Sequence, residues 1–376
     1  MIARVGALGT KQERLAFVIS SLGLGGAERD LSVCANFWAS EEKEVCIFAF
    51  TSSKNPPVYP LDARVRLCFL KDHFLAERFC ASLRRFLCMV ALRHALRAFR
   101  PHVIISYVDI TNILTLLVSR GLGAPVIVAE RSDPFMYKIG RFCDALRRRT
   151  YRWARKVVVQ TPTVASYFPR SLQKNICVIP NGVRSPSKHC TIRKNVRFLV
   201  SSGRLDADKG FDLLLESCVQ LFPSHPSLQL TLYGEGPYRV FLEQKIRAYK
   251  VEDRVSLPGA TTEIEEMLAR ADLFAFPSRH EGFPNALCEA MAVGLPVVAS
   301  NCLGNRTLVR DGIDGLLVPV GDGAALTEKI AFLIDHPEER QRLSRNARRL
   351  PERFSEDRNR QLWKSVITEA IAESSL

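Results

Sequence analysis

Two kinds of hydrophobic pattern alternate along the chain. Short apolar runs rich in β-branched residues predict strands, and stretches with apolar residues every three or four positions predict amphipathic helices. The predicted strands form two series, 15–20, 45–50, 103–107, 126–130, 157–160 and 177–179, then 198–202, 228–233, 254–257, 273–276, 296–300 and 315–319. Strands that alternate with helices are typical of parallel sheets covered by helices on both faces. The pattern therefore predicts an α/β protein with two doubly wound, Rossmann-like domains.

A polar and basic stretch without hydrophobic periodicity, Arg184–Asn195, separates the two series. It predicts a linker, which places an N-terminal domain at residues 1–184 and a C-terminal domain at residues 196–352. Residues 353–376 have apolar positions at helical spacing and predict a final amphipathic helix. A length of 376 residues suits two domains of this size.

Composition and charge narrow the class of protein. Hydrophobic residues make up 47% of the chain and charged residues 24%, as in a globular protein. No run approaches the ~20 apolar residues of a transmembrane helix, and the N-terminus lacks the apolar core of a secretory signal, so we expect a cytoplasmic protein. The eleven cysteines include no CxxC pair, which favours free thiols over disulfides or a zinc site. The net charge of +14 indicates a polyanionic partner: nucleic acid, anionic lipid or a phosphorylated substrate.

The most informative segment is 275–300. A predicted strand ends near Phe276, and a loop leads to a helix predicted over 285–293. The unpaired N–H groups at that helix start form an anion site suited to a diphosphate. Glu281 in the loop and Glu289 in the helix, with seven residues between them, can accept hydrogen bonds from sugar or ribose hydroxyls. Taken alone, the two glutamates also fit a solvated helix.

Two further loops follow predicted strands. In the loop 202–210, Arg204 and Lys209 precede a helix predicted over 211–221. Two cations beside a helix start suit a diphosphate leaving group. Gly25 and Gly26 follow the first strand of the chain and allow a ligand to approach the backbone closely.

From Ser278 to Val298 the chain matches the pattern S-x-x-E-G-F-P/G-x-x-x-x-E-A-M-A-x-G-x-P-V-V nearly position for position. It therefore resembles the family-4 retaining glycosyltransferases of the GT-B fold. The resemblance implies two Rossmann-like domains facing an interdomain cleft, with the C-terminal helix packing back on the N-terminal domain. It also implies that Glu281 lies at the donor sugar and supports transfer, and that Glu289 binds the nucleotide ribose.

The other loops extend the resemblance. The loop from Gly203 is similar to the family's G-R-x-x-x-x-K-G segment, whose arginine and lysine, here Arg204 and Lys209, bind the donor diphosphate. Gly25 and Gly26 match a segment that faces the same diphosphate. The remaining residues of the expected donor site surround the start of the helix predicted over 285–293. They are Gly282, Phe283, Pro284, Asn285 and Ala286.

The reaction that the resemblance implies is a front-face transfer, in which the departing diphosphate oxygen helps to deprotonate the acceptor hydroxyl. No metal, protein nucleophile or other cofactor is then expected, and the nucleotide sugar is a co-substrate. Asp206 and Asp208 match the DxD metal motif of a different glycosyltransferase fold. Because that motif belongs to enzymes without the Glu-x7-Glu helix, we expect the two aspartates to start the following helix or to face water.

The N-terminal half departs from the family's pattern. Many relatives have a histidine after the strand that corresponds to 126–129, whereas this chain has the run E-R-S-D-P from Glu130. Arg131 and Asp133 are therefore the candidates for contacts with the sugar or the acceptor. The run resembles a branch that builds lipid-linked oligosaccharides, often with N-acetylhexosamines or galactose.

Basic residues cluster in the N-terminal half. At 100° per residue, five arginines of one predicted helix fall on one ~120° arc, namely Arg78, Arg85, Arg93, Arg97 and Arg100. A second cluster, 141–156, has seven cations and one acid. Such surfaces attract anionic lipid headgroups or a lipid diphosphate, although a solvated helix face is the alternative. Nucleic-acid binding is not expected, because no reader motif appears and the clusters contain no interleaved stacking aromatics.

The sequence therefore predicts a retaining, metal-independent glycosyltransferase. It is expected to move a hexose or N-acetylhexosamine from a nucleotide sugar to a saccharide acceptor on a polyprenyl diphosphate. The expected donor is a UDP-sugar. The expected location is peripheral, on the inner face of the cytoplasmic membrane. Two alternatives stay open: a nucleotide-sugar epimerase of similar architecture, and a non-catalytic membrane scaffold. Donor turnover by the purified protein distinguishes them.

Overall fold

The computed structural model describes residues 12–73 and 81–373. Contacts between residues divide the chain into two compact units. Unit 1 comprises the chain up to Ser132, Tyr137–Ile179 and the chain from Arg360 onward, and unit 2 comprises Asp133–Met136 and Pro180–Asn359. Each unit contains one parallel sheet, which confirms the predicted α/β class with two Rossmann-like domains.

Unit 1 is built on seven parallel strands in the order β3-β2-β1-β4-β5-β6-β7. The strands are β1 (Arg14–Ile19), β2 (Glu44–Ala49), β3 (Arg66–Phe69), β4 (Val103–Tyr107), β5 (Val126–Ala129), β6 (Lys156–Val159) and β7 (Ile176–Val178). The central strand β4 is buried along its whole length. Such strands are continuous apolar runs because helices cover both faces of a parallel sheet.

The helices of unit 1 lie between these strands. They are α1 (Gly26–Ser40), α2 (Ala81–Phe99), α3 (Asp109–Val118), α4 (Arg141–Thr150), α5 (Pro162–Tyr167) and α6 (Arg170–Gln173). α3 packs on both α2 and α4.

Unit 2 is built on six parallel strands in the order β10-β9-β8-β11-β12-β13. The strands are β8 (Phe198–Ser202), β9 (Gln229–Tyr233), β10 (Val255–Gly259), β11 (Leu273–Phe276), β12 (Val297–Ser300) and β13 (Leu316–Val318). The helices are α7 (Phe211–Leu221), α8 (Arg239–Tyr249), α9 (Ile264–Arg270), α10 (Asn285–Val293), α11 (Leu303–Leu308), α12 (Gly323–Asp335), α13 (Pro337–Ala347) and α14 (Leu350–Arg353).

The twelve predicted strands are all present, and the structure adds β3. This strand, Arg66–Phe69, lies at the edge of the first sheet, and its residues are exposed or half-buried. An edge strand has fewer covered side chains than a central one, so its sequence lacks the continuous apolar run that predicts the others.

The last helix, α15 (Glu356–Ala372), begins among the residues of unit 2 and continues from Arg360 among those of unit 1. Its apolar positions Trp363, Val366 and Ile367 are buried in the core of unit 1. The Trp363 ring stacks on the Tyr107 ring at 6.2 Å between centroids. Helical spacing of apolar residues in the sequence thus corresponds to one buried stripe.

The stretch predicted as a linker, Arg184–Asn195, lies within unit 2. The N–H of Cys190 donates to the Val293 carbonyl at 3.0 Å. The buried guanidinium of Arg340 donates to the Arg193 and Lys194 carbonyls at 2.9 and 2.7 Å. Unit 2 thus supplies hydrogen-bond partners for this stretch, which has no helical or strand periodicity of its own.

The helix α2 has apolar residues both in the core and on the surface. Cys88, Leu92 and Leu96 form its buried stripe, whereas Leu83 and Val90 are 41% and 50% exposed. Phe86 is also exposed, at 60%. A helix that packs against one neighbouring layer buries only a narrow stripe, so the remaining apolar side chains of α2 stay on the surface beside its arginines.

The structure bears on two expectations from composition, which concern membrane-spanning helices and the state of the cysteines. Within the described ranges, no helix is both long enough and apolar enough to cross a bilayer. The ten cysteines of those ranges have free thiols, and most of them are buried as small apolar side chains.

Candidate functional site

The two strongest motifs lie at one edge of the unit 2 sheet. The loop with Arg204 and Lys209 follows β8, and the loop with Glu281 follows β11. These strands are neighbours, and the strand order reverses between them, since β8 also pairs with β9. Ligands of open α/β sheets bind outside the carboxyl ends of the strands at such a reversal. The fold therefore places both motifs where a ligand site is expected.

An ion pair joins the two loops. The Lys209 ammonium donates to the Glu281 carboxylate at 2.5 Å, and both side chains are largely buried. Burial opposes the charge on Lys209, but the attraction of Glu281 and of Asp206 outweighs it and raises the pKa of Lys209 above its usual value. The ammonium is therefore charged throughout the neutral pH range. The Phe276 ring, 5.7 Å from the nitrogen, lies beside it.

Gly210 brings the two loops this close. Its φ is 66°, in the left-handed region, and a Cβ at this position would overlap the Pro277 carbonyl oxygen. A larger residue would separate the loops and with them Lys209 and Glu281. Gly210, which follows Lys209, is thus needed for the close approach of the two loops.

Arg279 holds the β8 loop from the other side. Its guanidinium donates to both carboxylate oxygens of Asp212, at 3.2 and 3.0 Å, and to the Ala207 carbonyl. Its own N–H donates to the Asp208 carbonyl at 2.7 Å. This fork fixes the loop that carries Lys209, so Arg279 is a positioning residue.

Asp206 and Asp208 serve the loop that contains them. The Asp206 carbonyl accepts from the Lys209 N–H at 3.2 Å. Asp206 begins a short turn of 3₁₀ helix, 207–209, which leads into α7 at Gly210.

The backbone on both sides of Arg204 packs closely against the loop that follows β9, and the Arg204 side chain lies in solvent. A Cβ at Gly234 would overlap the Gly203 carbonyl oxygen, and one at Gly236 would overlap the Leu205 carbonyl oxygen. These glycines of the G-E-G-P turn let the β9 loop pack directly on both sides of Arg204. The side chain is 67% exposed and forms a long ion pair with Asp206 at 3.7 Å. Arg204 is therefore fixed by its backbone and accessible to an anion from solvent.

The backbone of Glu281 is held by α11. Its carbonyl oxygen accepts a hydrogen bond from the Gly304 N–H at 3.0 Å. A Cβ at Gly304 would lie 2.7 Å from the Glu281 Cβ. Glu281 is thus fixed through its backbone by Gly304 and through its side chain by Lys209.

The start of α10 provides unpaired donors at the same edge. Among the residues that the structure describes, no side chain caps this helix start, and its first turn contains no acid. The first N–H groups and the positive end of the helix dipole can therefore bind an anion. Asn181 donates to the Asn285 side chain at 2.9 Å. The half-buried Glu289 lies one turn further along the same helix face as Asn285.

The other expected donor-site residues shape this helix start. Pro284 precedes the helix with an extended backbone, and the half-buried Ala286 lies in the first turn. Phe283 is buried and meets the Phe354 ring edge-on at 5.5 Å. The Phe283 side chain therefore belongs to the core, while Gly282 is half-buried in the loop.

The glycine-rich loop of unit 1 already contains a carboxylate. α1 begins at Gly26, and a Cβ at Gly25 would overlap a Glu28 carboxylate oxygen. The Ser21 hydroxyl donates to the other carboxylate oxygen of Glu28 at 2.6 Å. The glycine thus makes room for the acid of its own G-G-A-E segment, and a diphosphate contact at Gly25 and Gly26 stays a prediction.

Arg131 is a core residue of unit 1. Its side chain is 3% exposed and donates to Asp30 at 2.6 Å. Its guanidinium lies over the Tyr107 ring at 5.2 Å and over the Trp363 ring at 5.6 Å. This environment gives Arg131 a structural role, because it secures α15 to the sheet. The expected acceptor contact is not supported for a guanidinium that is buried in this way.

Glu130 and Asp133 of the E-R-S-D-P run are also buried. Glu130 accepts from the Ser132 and Tyr151 hydroxyls at 2.8 and 2.9 Å and faces the buried Arg147 at 3.5 Å. Burial raises the pKa of Glu130 despite this arginine. Asp133 accepts from the Phe135 N–H at 2.9 Å, and burial raises its pKa as well. The carboxylates of Glu130 and Asp133 therefore bind groups of their own loop.

The arginines predicted on one arc, in and next to α2, divide into two groups. Arg93 donates to the Val118 and Arg120 carbonyls and so caps the end of α3. Arg85, Arg97 and Arg100 are exposed, and Arg78 lies outside the described residues.

The sequence reasoning missed Asn181, Arg279 and Gly304. Asn181 belongs to an I-P-N-G-V phrase that marks a boundary in the sequence, and Arg279 lies beside the Glu-x7-Glu motif without being part of it. Gly304 carries no pattern of its own. Only the packing of the loops shows that these residues fix the site.

Two family descriptions match successive parts of the chain. Residues 25–182 match the family described as glycosyl transferase 4-like domain, and residues 187–350 match the family described as glycosyl transferases group 1. Together the two matches cover most of the chain.

One relative in Campylobacter jejuni spans the full length. It is a GalNAc-α-(1→4)-GalNAc-α-(1→3)-diNAcBac-PP-undecaprenol α-1,4-N-acetyl-D-galactosaminyltransferase, 27% identical over 95% of this chain and 98% of its own. A putative colanic acid biosynthesis glycosyltransferase of Salmonella typhimurium is 35% identical over 44% of this chain and 43% of its own.

Solved structures show the same fold. Sucrose-phosphate synthase from Thermosynechococcus elongatus has a TM-score of 0.83 at 20% identity, over 96% of this chain and 100% of its own. HepE of Anabaena, solved with UDP and glucose, has a TM-score of 0.79 at 19% identity, over 95% of this chain and 100% of its own. This likeness confirms the predicted GT-B type of fold.

The burial of Arg131 generates a stability prediction. We expect Arg131→Met to lower the free energy of unfolding by about 3–5 kcal/mol, because Asp30 would stay buried without its partner. All three tryptophans lie in unit 1, so urea unfolding followed by tryptophan fluorescence reports on this unit.

The matched control is the double variant Asp30→Asn/Arg131→Met. It removes both charges and should be less destabilised than the single variant. A single variant that unfolds at the wild-type urea concentration would contradict the structural role.

Proposed function

This chain belongs to the glycosyltransferases that combine a 4-like domain with a group 1 domain, and we propose that it transfers a hexose or N-acetylhexosamine from a UDP-sugar with retention of anomeric configuration. The observation that carries the proposal is the set of groups at the carboxyl edge of the unit 2 sheet. Two cations, an uncapped helix start and two carboxylates lie on the loops and helix that follow β8 and β11. This combination suits a diphosphate flanked by hydroxyl-bearing sugars.

The cations and the helix start act on the leaving group. Lys209 and the exposed Arg204 would bind the diphosphate, together with the first N–H groups of α10. As the bond between the anomeric carbon and the diphosphate oxygen breaks, negative charge develops on that oxygen. Donors already fixed in place stabilise this charge without reorganisation. Gly210 and Arg279 contribute by holding the Lys209 loop.

The carboxylates act on hydroxyls. Glu289 would accept hydrogen bonds from the ribose, and Glu281 from the donor sugar. Lys209 is paired with Glu281, so a bound diphosphate would share the ammonium with this carboxylate. The acceptor oxygen attacks the same face of the anomeric carbon that the diphosphate leaves, and its proton passes to the departing diphosphate oxygen. The mechanism therefore needs no metal and no covalent intermediate on the protein.

The proposed acceptor is a saccharide on a polyprenyl diphosphate, at the inner face of the cytoplasmic membrane. The name of the Campylobacter jejuni relative, which is similar over nearly its full length, supports a lipid-linked acceptor. The surface of α2 supports the membrane contact. Exposed Arg85 and Arg97 attract anionic headgroups, and exposed Phe86 and Val90 can enter the interface.

Donor affinity tests the proposed roles in unit 2. We expect Lys209→Ala and Glu289→Ala each to weaken UDP-sugar binding by about 10- to 150-fold, because each removes a charged hydrogen bond of ~1.5–3 kcal/mol. Calorimetry with the purified chain measures this change. Lys245→Ala, which breaks an ion pair with Glu216 on the surface of unit 2, is the matched control and should bind like the wild type. Unchanged affinity in both site variants would refute the assignment.

A transfer assay tests the reaction. With a UDP-sugar and a polyprenyl-diphosphate saccharide, we expect turnover in excess EDTA and a product with the donor's anomeric configuration by NMR. Loss of activity in EDTA that Mn²⁺ restores would refute the leaving-group mechanism. An inverted product would refute retention. Donor interconversion without any acceptor would favour the epimerase alternative.

Vesicle co-sedimentation tests the membrane contact. We expect wild-type protein to bind anionic vesicles, less at molar salt because the Debye length falls to ~3 Å, and Arg85→Glu/Arg97→Glu and Phe86→Ser/Val90→Ser to bind less. Arg93 is left intact because it caps α3. The control Arg64→Glu/Arg66→Glu reverses two exposed charges elsewhere in unit 1 and should bind like the wild type. Equal binding by all four proteins would exclude α2 as the contact.

A further inference from the structure

A cavity of about 800 Å³ opens at the edge of the unit 1 sheet that is formed by the amino ends of its strands. It lies at the amino ends of β5, β6 and β7, beside the loop that follows α3 and the end of α15. All of its lining residues belong to unit 1. We call it the amino-edge cavity. The strands separate it from the carboxyl edge, where Arg131 and Glu28 lie.

Cations dominate the lining of the amino-edge cavity. Five of them face a single carboxylate, that of Glu373, and they are Arg120, Arg152, Arg155, Lys156 and Lys174. Arg155 is paired with Glu373, just beyond α15, at 3.4 Å, and Lys156 is paired with Glu369 of α15 at 2.9 Å. In the described part of the chain, Arg120, Arg152 and Lys174 have no acid within ion-pair distance. A concave surface with an excess of one sign of charge concentrates the opposite ion.

Arg120 is held in an orientation that suits a phosphate. Its guanidinium lies over the Trp153 ring at 4.4 Å from the centroid. Stacking fixes the plane of the group and leaves its N–H donors at the rim, where they match two oxygens of one phosphate. Trp153 is 38% exposed and lines the same cavity.

These cations are not occupied in capping the helix that ends there. The last carbonyls of α3 would attract a nearby cation, but Arg93 from α2 already donates to the Val118 and Arg120 carbonyls. The side chain of Arg120 is therefore left to the cavity. The space beside these cations is also open, because a Cβ at Gly121 or Gly123 would meet no heavy atom of the described residues within 4 Å.

We propose that the amino-edge cavity binds a phosphate-bearing anion with at least two negative charges, through Arg120, Arg152 and Lys174. The ligand would also compete with Glu373 for Arg155, since both residues line the cavity and their side chains are partly exposed. The shared chemistry is a diphosphate or a phosphodiester cluster, from a soluble molecule or from phospholipid headgroups. The site is separate from the one in unit 2 and does not depend on the proposed transfer reaction.

Trp153 provides a direct readout. The other two tryptophans, Trp38 and Trp363, are 3% and 2% exposed, so acrylamide quenches mainly Trp153. We expect inorganic pyrophosphate to protect the fluorescence of the full chain from acrylamide in a saturable manner, and Arg120→Gln/Lys174→Gln to weaken this protection at least tenfold. The control Lys54→Gln/Arg66→Gln, with the same loss of charge elsewhere in unit 1, should behave like the wild type.

Two further variants distinguish an anion site in the amino-edge cavity from a structural cluster of charges and from binding in unit 2. Glu373→Gln should tighten pyrophosphate binding about two- to fivefold, since it removes a competing exposed ion pair, whereas a merely structural cluster would not bind more tightly. Arg204→Ala/Lys209→Ala, which alters the site in unit 2, should leave the Trp153 signal unchanged. Loss of the signal in that variant would place the anion in unit 2 and overturn the proposal.

A vesicle arm identifies the source of the phosphate. Protection by phosphatidylglycerol vesicles but not by pyrophosphate supports lipid headgroups, and the reverse supports a soluble diphosphate. Phosphatidylcholine vesicles, with no net charge, should give no protection. Absence of protection by both anionic probes, or equal protection in the wild type and in Arg120→Gln/Lys174→Gln, would overturn the proposal.

Discussion

The ion pair between Lys209 and Glu281 is the contact on which the unit 2 site depends. It joins the loops of two neighbouring strands, and it can form only because Gly210 lets those loops approach to backbone contact. Arg279 fixes one loop and Gly304 the other. The pair neutralises two charges that would otherwise be costly to bury. A diphosphate would therefore meet a cation that is already oriented, at an edge where α10 adds its dipole.

The starts of α1 in unit 1 and α10 in unit 2 differ. Among the described residues α10 begins without an acid or a side-chain cap, whereas α1 begins with Glu28 folded back onto Gly25. A helix start can attract either an external anion or a carboxylate of its own chain. In unit 1 the chain supplies the carboxylate, and in unit 2 the position is left to a ligand. This contrast supports the assignment of the donor diphosphate to unit 2.

The net charge of +14 is a sum of unlike contributions. Arg131, Arg147 and Arg340 are buried and hold core elements together through ion pairs or carbonyl contacts. Other arginines lie beside exposed apolar residues on α2, and a third set lines the amino-edge cavity. Burial and partners, which differ among the three groups, decide which charges can reach an external anion.

The sequence by itself determined the two-domain α/β fold, nearly all strands and the candidate donor motifs, because periodicity and short motifs are local. It also placed α7 and α10 to the residue. Only the tertiary structure decided how these pieces are used. The edge strand β3, the buried role of Arg131, the exposed apolar residues of α2 and the positioning by Arg279 all depend on neighbours distant in sequence. A side chain has the same identity in a core, in a cap or on a surface, so its environment had to come from packing.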